Sequence, residues 1–411
     1  MTILSDSMAA SELTTPFRLS MPDRLTVAAF ERSWMTGAEF AQAESLVVDL
    51  TDCRQLDQVT LGHLIGHMAQ RRHKGLLTTI RLPKFRPMRD LLRTWEFPQA
   101  LTCALNERFR DLLTVDSLKY LSEAGAAIEA REGRYLPINV IPFQTITKAS
   151  AVPQHVLVAR ASERWRAPYI QAVLSRELGP VGGKRLSTHV INESLINAVR
   201  HPNAALLQTA AAFSRNGNGV DKFTYVVWDN GESIISTLQR VFQYGELKSA
   251  PYPEVHRDYR IRLVDAATGK EENVVTNTAT APTDSASPQQ LLIAATYPGI
   301  AGIGERDRDT GLDASSRDRV QSRLAGRRGI GLSVLINTVI DVFGGEVSVR
   351  TGNLFMNIRG VSPAEPGDKR PKTGEPGSRF LGPLEVEIVE YPTSTSTVKG
   401  NILAVRVPLK R

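Results

Sequence analysis

Short β-branched apolar runs recur through this chain, each bounded by turn residues and separated from the next by a stretch of helical spacing. SLVVDL (45–50), LLTTIRL (76–82), INVIPFQTI (138–146) and FTYVVWDNG (223–231) have the length and residue types of buried strands. LGHLIGHMAQRRHKG (61–75), FRPMRDLLRTWEFPQAL (85–101), ERWRAPYIQAVLSREL (163–178), KRLSTHVINESLINAVRH (184–201) and GLSVLINTVIDVF (331–343) instead place apolar residues three and four apart. A chain that alternates the two buries its apolar sides by stacking helices on a sheet, so the expected class is α/β. Gly75 and the pair Gly344–Gly345 stand where helices should stop, and Val181–Gly183 reads as a break before the helix at 184–201. EVSVRTG, LFMNIRG, LEVEIVE and ILAVRVP follow as a run of C-terminal strands.

The 411 residues leave room for two or three domains. Hydrophobic residues at 42% and charged residues at 23% support a packed core and exclude wholesale disorder, collagen and a coiled-coil rod. Cys53 and Cys103 are the only cysteines, which excludes a disulfide framework and a four-cysteine zinc site and suits a reducing, cytoplasmic setting. No run of about 18 apolar residues occurs, so no membrane partner is expected. The opening MTILSDSMAASELTTPFRLSMPDR lacks the basic start and apolar run of a secretory signal. Fifty Lys+Arg against 43 Asp+Glu give +7, which reads as an ordinary surface; no nucleic-acid partner is indicated. Residues 265–290 are polar and rich in Ser, Thr and Ala and read as a loop or disordered insertion, and the Pro/Gly-rich 361–378 as a hairpin extension.

Three separated segments can furnish one site. In NESLINAVRHPNA (192–204), Glu193 and Asn197 are four apart and Arg200 is three further on, so all share a helix face. An amide oxygen is a hard ligand for magnesium, a carboxylate can orient water or take a proton, and a guanidinium pairs with phosphate oxygens. In VVWDNGESI (226–234), Asp229 ends an apolar strand and can accept from an exocyclic amine, while Gly231 lets backbone turn tightly or approach a flat ligand. In AGRRGIGLSVL (325–335), glycines and two arginines precede a helix whose free N–H groups suit phosphate. Taken singly, each segment also fits a solvated helix face, an Asn-Gly turn or a flexible loop.

In this order the three segments resemble the GHKL ATPase superfamily, which includes histidine kinases, type II topoisomerases, MutL proteins, ninety-kilodalton heat-shock chaperones and anti-sigma-factor kinases. ESLINAVRHP resembles the N box, DNGES the first glycine box, GRRGIGL the second, and KGNILAVRVPL (399–409) the closing strand element. The resemblance covers roughly 136–411 and implies an α/β sandwich that binds ATP with Mg2+. It implies that Asn197 holds magnesium, that Glu193 is the catalytic carboxylate that orients the attacking water, and that Asp229 receives the adenine amino group beside Gly231. Gly326, Arg327, Arg328, Gly329, Ile330, Gly331 and Leu332 would line the phosphates with Arg200, and 300–328 would form an ATP lid. Ser233, Arg327 and Asn401 stand where the family usually has two glycines and a threonine.

LVVDLTDCRQLDQVTLGHL, its helix and LLTTIRLP resemble a STAS domain, the fold of anti-sigma-factor antagonists. That gives a STAS-like interaction domain over 1–115, a connecting helix at 116–135 and the ATPase domain at 136–411. Asp57 falls on the family's Asp, but the next position, often a phosphorylatable Ser, is Gln58, which implies an interaction domain without a phospho-switch. The expected function is a slow ATP-hydrolysing switch coupling nucleotide state to a protein partner, docked through the STAS-like domain, or to self-association as a homodimer. The alternative is an anti-sigma-type serine/threonine kinase that regulates transcription. A histidine kinase is disfavoured, because no His-Glu/Asp-x-Arg-x-Pro context surrounds His155 or His189. His63 and His67, four apart on the helix at 61–75, read as surface or half-buried side chains, and Trp95 and Trp228 as core.

Overall fold

The computed structural model describes residues 16–36, 42–122, 140–148, 152–200, 204–215, 221–243, 255–277, 286–297, 331–361, 379–380 and 382–409. The class is mixed α/β, as expected.

The N-terminal unit is built on three parallel strands, β1 (Phe17–Ser20), β2 (Ser45–Asp49) and β3 (Leu77–Arg81), with β2 in the middle. Among the described residues, the α-helices that accompany them are α1 (Val27–Met35), α2 (Gln58–His73), α3 (Arg86–Thr94), α4 (Phe97–Leu105) and α5 (Val115–Ser122). The Thr26 hydroxyl caps α1, and the Asp57 carboxylate caps α2 by accepting from Thr60 N at 2.8 Å. Residues 85–101 form two helices rather than the expected one. Glu96 takes a left-handed conformation (φ 53°), and Pro98 then sits in the first turn of α4, where its missing N–H costs nothing. Of the expected connecting helix at 116–135, α5 covers the first residues; 123–135 lies outside the described residues.

Among the described residues a nine-stranded sheet forms the second unit. Its strands are β4 (Val140–Thr147), β5 (Leu206–Arg215), β6 (Asp221–Asp229), β7 (Asp258–Asp265), β8 (Glu271–Asn277), β9 (Glu346–Thr351), β10 (Leu354–Gly360), β11 (Leu384–Glu390) and β12 (Asn401–Leu409), ordered β8-β7-β11-β10-β9-β12-β6-β5-β4. All neighbours are antiparallel except β7 and β11. One face carries α6 (Gln154–Arg166), α7 (Pro168–Arg185), α8 (Asn192–Arg200), α9 (Ile234–Gln243), α10 (Pro288–Ala294) and α11 (Gly331–Asn337). The N-terminal unit covers the other face along β4, β5, β6 and β12.

Strand period two explains why β6 reads as one apolar run. Phe223, Tyr225 and Val227 enter the helix-side core, while Val226 and Trp228 enter the core shared with the N-terminal unit. On β12, Val405 and Val407 face the helices, and Ile402 and Ala404 face the N-terminal unit. Helix α2 is buried all round between the two sheets, with Gln58 through Ala69 buried without a gap. Its glycines permit the approach: a Cβ on Gly62 would lie 3.4 Å from Val226, and one on Gly66 3.3 Å from Val398. Trp95 and Trp228 are buried as expected.

Three sequence expectations change. The helix at 163–178 is split at Ala167–Pro168 into α6 and α7. The break expected at Val181–Gly183 lies instead at Gly179 (φ 75°) and Pro180, after which the chain stays helical. Of the loop or disordered insertion expected over 265–290, the described parts, 265–277 and 286–290, form regular structure, and 278–285 lies outside the described residues. An Asp265-capped turn joins β7 to β8, and α10 starts from a Ser287/Gln290 capping box. The Pro/Gly-rich extension at 361–378 falls, apart from Val361, outside the described residues.

Candidate functional site

Helix α8 is oriented by what it buries. Leu195, Ala198 and Val199 enter the main core, and the Ser194 hydroxyl meets Tyr225 Oη on β6 at 2.8 Å. That rotation leaves Glu193 and Asn197 together on a half-buried flank. A π-helical turn, Leu186–Ile191, leads into α8, and a second one, Thr338–Val342, follows α11; the two turns pack together. Helix α8 itself packs against both β6 and α11. The first two sequence segments and the described part of the third, from Gly331 on, are therefore carried on elements that pack around α8.

Asp229, 5% exposed, is the last residue of β6 and shares the helix-facing parity of Val227. Its carboxylate is held from two sides. Gly231 N donates to Oδ1 at 2.9 Å, and Asn401 Nδ2 donates to Oδ1 at 3.2 Å and Oδ2 at 3.4 Å. Asn401 lies opposite Asp229 in the β6–β12 ladder and opposite Thr351 in the β9–β12 ladder. Its Oδ1 accepts from Thr351 Oγ1 at 2.7 Å and Ile234 N at 3.0 Å, and its Nδ2 also reaches Glu232 O at 2.8 Å. One amide thus fixes the carboxylate, the turn after it and the start of α9. Threonine, with one hydroxyl, has fewer donor and acceptor sites than this arrangement uses. Gly400 (φ 79°) completes the latch: a Cβ there would lie 1.7 Å from the Asp229 carbonyl oxygen. The Asn-Gly turn is present as well, with Asn230 Oδ1 accepting from Ala205 N and Leu206 N at 2.8 and 2.9 Å.

Lys148 follows β4 and went unmarked in the sequence, where a lone lysine after a strand carries no signal. Its Nζ donates to Ala198 O at 2.8 Å and Val199 O at 2.7 Å in the last turn of α8. Burial pushes its ammonium down to about 8, against the opposing pull of Asp229.

Glu193, Asn197, Asp229 and Gly231 therefore sit on adjoining elements. Gly331 opens α11, and Leu332 packs partly buried against the main core. Arg200 ends α8; the contact expected of its side chain lies outside the described residues, as do Gly326, Arg327, Arg328, Gly329, Ile330 and the whole 300–328 segment. Chemically the set offers an amide oxygen suited to a hard divalent cation, a carboxylate able to orient water, and a buried carboxylate able to accept from an amino group.

The histidines differ from expectation. His63 and His67 are fully buried, each 1% exposed, because Glu31 from α1 and Arg350 from β9 meet them between the N-terminal unit and the sheet. His63 Nδ1 lies 2.7 Å from Glu31 Oε1, and His67 Nε2 lies 3.1 and 3.2 Å from the two oxygens. Ser396 Oγ donates to Glu31 Oε2 at 2.7 Å, and Arg350 Nη2 reaches Ser396 Oγ at 2.8 Å while its guanidinium lies 4.4 Å over the Tyr391 ring. Burial alone would raise the Glu31 carboxyl, but Arg350 and the two imidazoles hold it well below the usual carboxylate range. Burial pushes both imidazoles down in spite of Glu31, so they are neutral donors to an ionised acceptor. Gln58 is sealed in the same interface, 2% exposed, with Nε2 donating to Thr224 O at 3.1 Å.

No family model matches the chain, and neither does any curated protein or solved structure.

Proposed function

We propose that this chain is a magnesium-dependent, slowly hydrolysing ATP switch of the GHKL type, with the N-terminal STAS-like unit as its resident interaction domain. The observation that carries the reading is that α8, which bears Glu193 and Asn197, packs against both β6, which ends in Asp229, and α11 on one face of the sheet. The donor set fits the ligand: Asn197 supplies a neutral oxygen, and Asp229 a buried carboxylate, the type of acceptor that suits an adenine amino group. Magnesium, when bound, would supply charge stabilisation at the phosphate oxygens.

The chain's own residues do the rest. Asp229 and Gly231 seat the base, and Asn401 keeps that carboxylate oriented. Asn197 fixes the metal position beside Glu193, which orients water and takes its proton. Gln58 has no hydroxyl to receive a phosphoryl group and its side chain is enclosed against β6, so the fused unit does not serve as its own phospho-acceptor at that position.

Steady-state phosphate release with Glu193→Gln tests the role assignment. Hydrolysis should fall at least about a hundredfold, the usual worth of a general base, while MgATP binding stays within a few-fold of wild type. Hydrolysis at the wild-type rate contradicts it.

A further inference from the structure

We infer that Lys148 is a positioning residue of the nucleotide site, pinning the C-terminal end of α8 to the strand end that carries Asp229 and so setting the distance between the metal-holding and base-holding groups. The inference rests on the nucleotide reading above and deepens it.

Three contacts make the pin. The Lys148 backbone N–H donates to Ala205 O at 2.8 Å, which extends the β4–β5 pairing past Leu206. Its Nζ then crosses to the carbonyls of Ala198 and Val199, the two residues after Asn197. Ala205 N in turn donates to Asn230 Oδ1 at 2.8 Å, next to Asp229, so the bonded path runs from α8 to the end of β6, and the Asp229 charge offsets part of the cost of burying the ammonium. Alpha-helix ends leave such carbonyls without intrahelical partners, and a cation there also favours the helix dipole. A surface lysine could cap α8 equally well, but this one is half-buried and ties α8 through Ala205 and Asn230 to the end of β6. The ionisable residues of α8 are Glu193 and Arg200, and those of β6 are Asp221, Lys222, Tyr225 and Asp229; of all these, Asp229 is the one whose charge opposes the effect of burial on the ammonium. The ammonium loses its proton near pH 8, whereas a guanidinium in its place stays charged.

Binding of MgATP to the full chain, measured by calorimetry between pH 7 and 9.5, tests this. Lys148→Met should weaken binding about tenfold at pH 7, the scale of a lost hydrogen bond from a charged group. Lys148→Arg should keep affinity within about threefold, since charge and donors remain. Wild-type affinity should fall as pH passes 8, and Lys148→Arg should stay flat over the same range. Should Lys148→Met fail to fold, the contrast between wild type and Lys148→Arg decides alone. Wild-type affinity in Lys148→Met, or parallel pH profiles for wild type and Lys148→Arg, overturns the inference and leaves the nucleotide reading standing. No MgATP binding by the wild type at pH 7 overturns both.

Discussion

Arg350 and Thr351 are consecutive in β9 and point to opposite faces of the same sheet. On the N-terminal side Arg350 is wholly buried, tied to Glu31 and Ser396, and its Nε and Nη1 find no hydrogen-bond partner among the described residues. On the helix side Thr351 donates to Asn401, which in turn holds Asp229 beside the half-buried flank of α8. Both faces spend polar groups, but in different ways. The sealed face uses charge to lock one unit onto another, where an unpaired group has no water to turn to. The helix face holds its carboxylate in place and leaves Glu193 and Asn197 half accessible, as a ligand site needs.

The largest expected effect lies on the sealed face. Arg350→Met strands the Glu31 charge and should cost about 3–5 kcal/mol in denaturant unfolding, whereas pairing it with Glu31→Gln should recover much of that loss. If the single and double variants are equally unstable, the cluster is not held by its charge pair.

Acid should attack the same cluster. His63 and His67 titrate below their ordinary 6.5 in the folded chain, and Glu31 below its ordinary 4.5, so the unfolded chain binds more protons in both windows. The stability these groups contribute is present above those ordinary values. It is lost first as pH falls below 6.5, through the histidines, and again below 4.5, through Glu31. Melting temperature measured from pH 7.5 down to 4 should show this decline, and replacing both histidines with Gln should flatten its upper part.

On the helix face the effects should appear in binding. Gly400→Ala forces the strand end carrying Asp229 to move and should abolish the stabilisation that MgATP gives to melting. Asn401→Ala should weaken MgATP by about tenfold through loss of its bonds to the carboxylate. A binding-neutral Asn401→Ala would mean that the Asn401 amide is not what orients Asp229.

The smallest effect belongs to the half of the outer face that the N-terminal unit leaves uncovered. There Arg262 pairs with Glu387 and Arg359 with Glu385, each at 2.8 Å and in solvent. Arg359→Ala should change stability by less than about 1 kcal/mol.

Much of this was legible in the sequence for physical reasons. Period-two and 3.6-residue patterns located β6, β12, α2 and α8, and the i,i+4 spacing put Glu193 and Asn197 on one flank. What escaped depended on distant partners or weak patterns. His63 and His67 read as surface or half-buried because Glu31 and Arg350 lie far away in the chain. Strand β8 looked like a loop because it is a polar edge strand with few apolar residues to alternate. Gly179 rather than Gly182–Gly183 broke α7, since only the first takes a positive φ. Lys148 showed no pattern at all; its meaning comes from the carbonyls it reaches.

The central claim is that the α8–β6–α11 junction holds MgATP, and direct calorimetric titration of wild type beside Asp229→Asn and Asn197→Ala tests it most simply. Saturable one-to-one binding to the wild type is predicted, weakened at least about tenfold by either substitution and dependent on magnesium through Asn197. Binding that is absent in the wild type, or indifferent to both substitutions, would contradict it.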